Sequence, residues 1–305
     1  MNNQLTRIGS LSHWRDYIAL CKPKIVSLIV FTAVVGMFLS TAGMVPFSVL
    51  IFGTLGIGLA AASAAAINHV VDYKIDSVMA RTMRRPLPKG NISIQGAILF
   101  AFLLGALGMV ILTYFVNVLT AVLTALSLIG YGFIYSMFLK RATPLNIVIG
   151  GAAGAAPPVL GWTAVTGTLE PNSLLLFLII FAWTPPHFWA LAIYRCNDYA
   201  SVDIPMLPVT HGVEYTRLHI LLYTIVLFII TLLPYITYMS GLVYLSGAVL
   251  LGSGFLYRAI RMQFDHSDRL AMKTFSYSIF YLMTLFVFLL VDHYVPIITA
   301  VFISR

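Results

Sequence analysis

Charge is what this chain most lacks. Ten acidic and 18 basic residues make up nine per cent of its 305 positions, against about 25% in an ordinary soluble domain. Hydrophobic residues reach 60% and mean hydropathy is +0.95, which excludes a water-soluble globule. Cysteine is nearly absent. Cys21 and Cys196 stand far apart, which leaves neither a disulfide framework nor a zinc spacing. No low-complexity tract stands out. The N-terminal segment has no cleavable signal pattern, because charges continue to Lys24. It is also too short and too poor in Arg and Ser for an organelle transit peptide. These absences lead to the expectation of a bacterial inner-membrane protein.

What is present is apolar sequence in long runs. A helix crosses a bilayer in about 20 residues, and nine runs qualify in outline: 25–39, 47–67, 94–115, 118–138, 145–165, 174–193, 220–239, 242–260 and 275–301. The first is short and the last is long. The fold expected is an all-α integral membrane protein, a nine-transmembrane-helix bundle forming a single polytopic domain over residues 1–305. The fifth run carries Gly150-Gly151-Ala152-Ala153-Gly154. Such small residues let helices approach closely in lipid, so an interior position is expected for it.

The basic residues give a topology. Seventeen of the 18 fall before the first run or in every second loop, and only Arg305 lies opposite. By the positive-inside rule those loops face the cytoplasm. The N-terminus is then cytoplasmic and the C-terminus periplasmic. Residues 1–24 form a cytoplasmic segment, and 68–92 and 194–219 form cytoplasmic active-site loops. The net charge of +8 is thus a topology signal, and no nucleic-acid module accompanies it.

Seven of the scarce charges crowd into one loop, from Asp72 to Lys89. Asn68, Asp72 and Asp76 are four apart, so on a helix each turns by only about 40° from the last. Two carboxylates held together without a cation repel one another. A hard cation resolves that repulsion. Magnesium suits the set, since it takes one or two carboxylates together with phosphate oxygens. The cations that follow then suit a diphosphate. A second polar cluster ends the sixth run: Trp183-Thr184-Pro185-Pro186-His187-Phe188-Trp189, then Tyr194, Asp198 and Asp203. The two prolines predict a kink. Both clusters end on one side, so they are expected to share one mouth. Plainer readings stand beside these. Loop acids and bases also form solvated surface pairs. Lys22 and Lys24 fit topology anchors as well as ligands. His69 and His187 suit haem ligation or acid–base work, but more commonly helix packing. Tyr131, Tyr135, Trp183 and Trp189 line a pocket or form an interfacial belt, and Asp292 is expected at an interface.

The pattern Asn68-x-x-x-Asp72-x-x-x-Asp76 with Arg81-Thr82-x-x-Arg85-Pro86 resembles the first acidic motif of the UbiA superfamily of intramembrane prenyltransferases. Further strings resemble its haem-farnesylating branch. These are Lys22-Pro23-Lys24, Leu139 to Gly151, Thr184-Pro185-Pro186-His187-Phe188-Trp189 and Ile204-Pro205-Met206-Leu207-Pro208. The resemblance covers nearly the whole chain. One departure is Tyr194-x-x-x-Asp198 where many members carry a second Asp-x-x-x-Asp.

The resemblance implies the UbiA fold and a reaction in which farnesyl diphosphate, haem B and water give haem O and diphosphate. It implies Mg²⁺ held by Asn68, Asp72, Asp76 and Asp198, with Asp203 a weaker ligand. Arg81, Arg85 and Lys89 become diphosphate clamps, and Lys140 and Arg141 partners for the haem propionates. His187 is counted with the substrate-binding residues. Tyr194 or Tyr135 is offered as a ring face for the allylic cation. Membrane lipid is a partner, and a haem-modifying enzyme or terminal oxidase assembly would take the product. The alternatives are a relative that prenylates a quinone-precursor acid and a haem transporter without chemistry.

Overall fold

Inside a bilayer no water satisfies backbone N–H and C=O groups, so long apolar runs must close their own hydrogen bonds as helices. The computed structural model describes residues 13–79, 81–265 and 267–303, and among them there is no strand. The long helices are α1 (Pro23–Leu39), α2 (Phe47–Val71), α3 (Ile94–Phe115), α4 (Val118–Ala142), α5 (Asn146–Thr166), α6 (Pro171–Tyr194), α7 (Val213–Ile236), α8 (Leu242–Phe264) and α9 (Asp268–Ile303). Eight of these, α2 to α9, are long and apolar enough to cross a bilayer. The short first run is α1, with 17 residues. It follows a short helix at a bend of 53°, and the pair passes the same test when taken together.

Three helices depart from a plain rod. The last part of α4, Gly130–Leu139, is π-helical. α5 is two helical pieces, Asn146–Ala155 and Pro157–Thr166. The break falls where Pro157 and Pro158 start the second piece, the position a helix accepts proline most readily. α6 carries two prolines in its interior. It continues unbroken through Pro185 and Pro186. Both prolines are buried among neighbouring helices, a setting in which freed backbone groups are tolerated.

Small residues set one close helix crossing. A methyl group on Gly161 of α5 would run into the backbone oxygen of Ala33 on α1, and one on Gly36 would meet that of Pro158. This contact fixes α1 against α5 and with it the residues at the start of α1. At the basic end, Trp189, Ile204, Met206 and Ala271 pack as one buried cluster, joined by Ile75 and Tyr199. The loop after α2 and the segment after α6 are therefore held together there. Asp292 is buried. Its two oxygens accept the backbone N–H groups of Gly241, at 2.5 Å, and Tyr244, at 3.1 Å, at the start of α8.

Candidate active site at the basic end of the bundle

α2 ends at Val71, but the helical step carries on. The Asp72 N–H donates to Asn68 O at 3.0 Å, and the Asp76 N–H to Asp72 O at 2.8 Å. Asn68, Asp72 and Asp76 therefore stay on one face, as their spacing predicts. All three are buried, none more than 6% exposed. At such depth an unpaired carboxylate is costly, and each here has a cation.

Those cations come from three other places in the chain. Lys22, at the start of α1, donates from Nζ to Asn68 Oδ1 at 2.5 Å. Lys140, at the end of α4, donates to Asp72 Oδ2 at 2.7 Å. Arg85, from the loop after α2, donates from Nη1 to Asp76 Oδ2 at 2.5 Å. Asn68 Nδ2 in turn donates to Asp72 Oδ2 at 3.1 Å and to Ser136 Oγ at 3.3 Å. Thr82 Oγ1 donates to the carbonyl of Asp76 at 3.1 Å, which ties the loop to the acids it serves. Lys22 has φ 49°. The left-handed region costs a non-glycine residue about 1–3 kcal/mol, and Pro23 disfavours the right-handed alternative. Burial, then the Arg85 guanidinium, pushes the Lys22 ammonium down to about 8.

Among the described residues, two groups in this array lack partners. Asp72 Oδ1 is buried without a donor, and both ring nitrogens of His69 are buried and unpaired. At 100° per residue His69 points within about 20° of Asp76, so it belongs to the same arc. A buried carboxylate oxygen whose lone pairs no donor engages, beside a second carboxylate and an amide oxygen, fits a hard divalent cation. The fit rests on Asn68, Asp72 and Asp76. Among the described residues no three His, Cys, Asp or Glu side chains gather where they could hold an ion.

The other residues singled out by the sequence lie around this array. Asp198 does not join it. It sits on a separate helical turn, Cys196–Ala200, where Arg195 three residues earlier pairs with it at 3.3 Å. The exposed Tyr194 ring already has the Arg195 guanidinium 4.9 Å from its centre. Arg81, Lys89, Arg141 and Asp203 are exposed. His187 is buried within the bundle between Trp183 and Phe275, with ring centroids 4.1 and 4.5 Å away. Its Nδ1 is 2.6 Å from Ser278 Oγ, which is the helix-packing environment.

An apolar groove of about 440 Å³ runs between α4, α5 and α6, lined by Leu126, Tyr135, Gly150, Ala153, Leu160 and Phe177 among others. It extends along α4 from Leu139 to Leu123. Tyr135 stacks on Tyr131 at 5.4 Å, and the Tyr131 carbonyl accepts from Ser136, the hydroxyl that Asn68 contacts. The groove thus begins beside the polar array.

Sequence reasoning singled out Asn68, Asp72, Asp76, Arg85 and Lys140 and left Lys22 open. It missed Ser136 and Thr82 as site groups. A serine inside an apolar helix is too common a packing residue to be read as a partner of a distant amide.

Comparison with known proteins gives the family and the fold. A model of the UbiA prenyltransferase family matches residues 29–298. The chain is 61% identical over 288 residues to the protoheme IX farnesyltransferase of Nitrosococcus oceani, covering 94% of this chain and 96% of that one. It is 58% identical over 281 residues to the same enzyme of Legionella pneumophila, covering 92% and 96%. In fold it resembles a digeranylgeranylglyceryl phosphate synthase, with a TM-score of 0.78 at 18% identity over 93% of this chain and 99% of that one. It also resembles a UbiA homologue from Archaeoglobus fulgidus bound to DMAPP and Mg²⁺, with a TM-score of 0.64 at 16% identity over 90% and 99%.

Proposed function

Because this chain belongs to the UbiA prenyltransferase family and is a multi-pass membrane protein, we propose that it transfers a farnesyl group from farnesyl diphosphate to a vinyl group of haem B. Water adds in the same reaction, and the products are haem O and diphosphate. The observation that carries the reading is the buried array of Asn68, Asp72 and Asp76, matched one by one to Lys22, Lys140 and Arg85, at one end of an apolar groove.

The residues divide the work by chemistry. The carbon–oxygen bond to diphosphate breaks only if the departing charge is stabilised. Asn68, Asp72 and Asp76 would hold Mg²⁺, while Asp198 stays paired with Arg195 on its own turn. When bound, the ion supplies electrostatic stabilisation of the leaving diphosphate. Arg85, Lys22 and Lys140 each hold one member of the array, so they are placed to share their donors with phosphate oxygens. Arg85 contributes a planar fork suited to that geometry. Arg81 and Lys89, exposed on the same loop, gather the diphosphate from solvent. The groove from Tyr135 onward takes the farnesyl chain and keeps water from the allylic carbon. Arg141, exposed beside Lys140, meets a haem propionate. The enzyme lies in the bacterial inner membrane with the array facing the cytoplasm, the N-terminus inside and the C-terminus outside.

A transporter reading is less well supported, because transporters place ionisable sites near the bilayer midplane and these acids sit at helix ends. The test uses the purified protein with farnesyl diphosphate, haem B and Mg²⁺. Diphosphate release together with a farnesylated, hydrated haem by mass spectrometry is expected. Diphosphate release without a new haem would point to another acceptor, and neither product would sink the assignment.

A further inference from the structure

A second cavity, of about 770 Å³, opens between the basic ends of α8 and α9 and shares no residue with the array around Asn68. Arg258 and Arg261 line it from α8, and Arg269 and Lys273 from α9. The spacings are three and four, so each pair presents both cations on one helical face. Asp265 is the one carboxylate lining the cavity, and Asp268 stands nearby in the first turn of α9.

These cations are arranged rather than merely present. Arg258 is held with its guanidinium 3.8 Å from the centre of the Tyr277 ring while donating to Gly254 O at 3.0 Å. Arg261 approaches Asp265 at 3.5 Å with half its side chain exposed. Arg269 and Lys273 are exposed and make no side-chain hydrogen bond or ion pair among the described residues. Beside them the α8 surface turns apolar. Tyr257, Ile260 and Phe264 are 59, 43 and 82% exposed, as side chains facing lipid would be. A topology anchor needs only charge on one side of the membrane. It needs neither a cavity nor a guanidinium braced on a ring.

We propose that this cleft binds the phosphate headgroup of an anionic phospholipid, whose acyl chains lie along Tyr257, Ile260 and Phe264. A cluster of Lys and Arg between membrane helices on the side with anionic lipid has the required charge. Two cation pairs on facing helices suit two phosphates, so diphosphatidylglycerol is the preferred lipid and phosphatidylglycerol the second.

The experiment is native mass spectrometry of the full-length protein in mild detergent, titrated separately with diphosphatidylglycerol, phosphatidylglycerol and phosphatidylcholine. The wild type should retain the anionic lipids in that order and phosphatidylcholine least. The double variant R269Q/K273Q, altered only at exposed side chains, should bind diphosphatidylglycerol about tenfold or more weakly. The control K74Q/R84Q removes two exposed cations elsewhere at the same end and should bind as the wild type does. Equal retention of all three lipids, or equal losses in the two double variants, would overturn the proposal. So would displacement of the lipid by millimolar inorganic diphosphate, which would mark a soluble-phosphate site.

Discussion

At the scale of single residues, Asp72 concentrates most of the site. One of its oxygens accepts from both Asn68 and Lys140, and the other is buried with no donor. Asp72→Asn keeps the shape, removes the charge that balances Lys140 and leaves a poor ligand for a divalent ion. Turnover with farnesyl diphosphate and haem B should fall on the order of 10³-fold, the scale of losing a group that stabilises developing charge. The variant should still insert but melt at a lower temperature than the wild type, because Lys140 is left as a buried cation without its partner. Near-normal turnover would reduce Asp72 to a structural partner of Lys140. The spacing of Asn68, Asp72 and Asp76 was legible in the sequence because a helix repeats every 3.6 residues. Their partners were less so. Lys22 and Lys140 arrive from 46 and 68 residues away, and no local rule encodes such a distance.

At the scale of elements, two contacts hold helices together at a distance from the array. The first is the crossing of α1 and α5 at Gly161 and Ala33. A methyl group there has no space, so Gly161→Ala should push α1 outward and draw Lys22 from Asn68. The expected outcome is a lower folded yield and a raised KM for farnesyl diphosphate, although residue 161 lies far from the chemistry. A variant with wild-type kinetics and yield would show that the crossing yields cheaply. The second is the cap that Asp292 forms on α8 through Gly241 and Tyr244. Asp292→Ala leaves the buried Tyr244 N–H without its acceptor and removes the one that serves the exposed Gly241, and should cost about 1 kcal/mol. A fall in the detergent melting temperature with unchanged KM would bear this out, and Asp292→Asn should recover part of the loss. If the melting temperature does not move, the cap carries no weight. From the sequence alone Asp292 looked interfacial, because a carboxylate near the end of an apolar run is usually wet. Its role depends on α8 starting beside it, which is a fact of packing.

For the whole molecule, the split of basic residues predicts which ends of the helices share a face. Gly90 lies between α2 and α3 at the basic end, and Thr168 lies between α5 and α6 at the other. Reporter fusions at these two positions should give opposite answers, cytoplasmic for Gly90 and periplasmic for Thr168. Two cytoplasmic answers would falsify the topology and with it the side on which the array and the α8–α9 cleft are proposed to face.

The sequence by itself determined that the chain is helical and crosses a membrane, roughly where each crossing begins, and that one acidic face and one basic loop belong together. Those properties are local: hydropathy accumulates along a run, and helical spacing acts over a few residues. Only the tertiary structure decided that α6 runs on through Pro185 and Pro186, that Asp198 pairs with Arg195 on its own turn, and that His187 is packed between Trp183 and Phe275. It also decided that Lys22, Lys140 and Arg85 each take one member of the buried triple. Each of these outcomes follows from which helices lie side by side, since a buried polar group takes whatever partner the packing brings within reach.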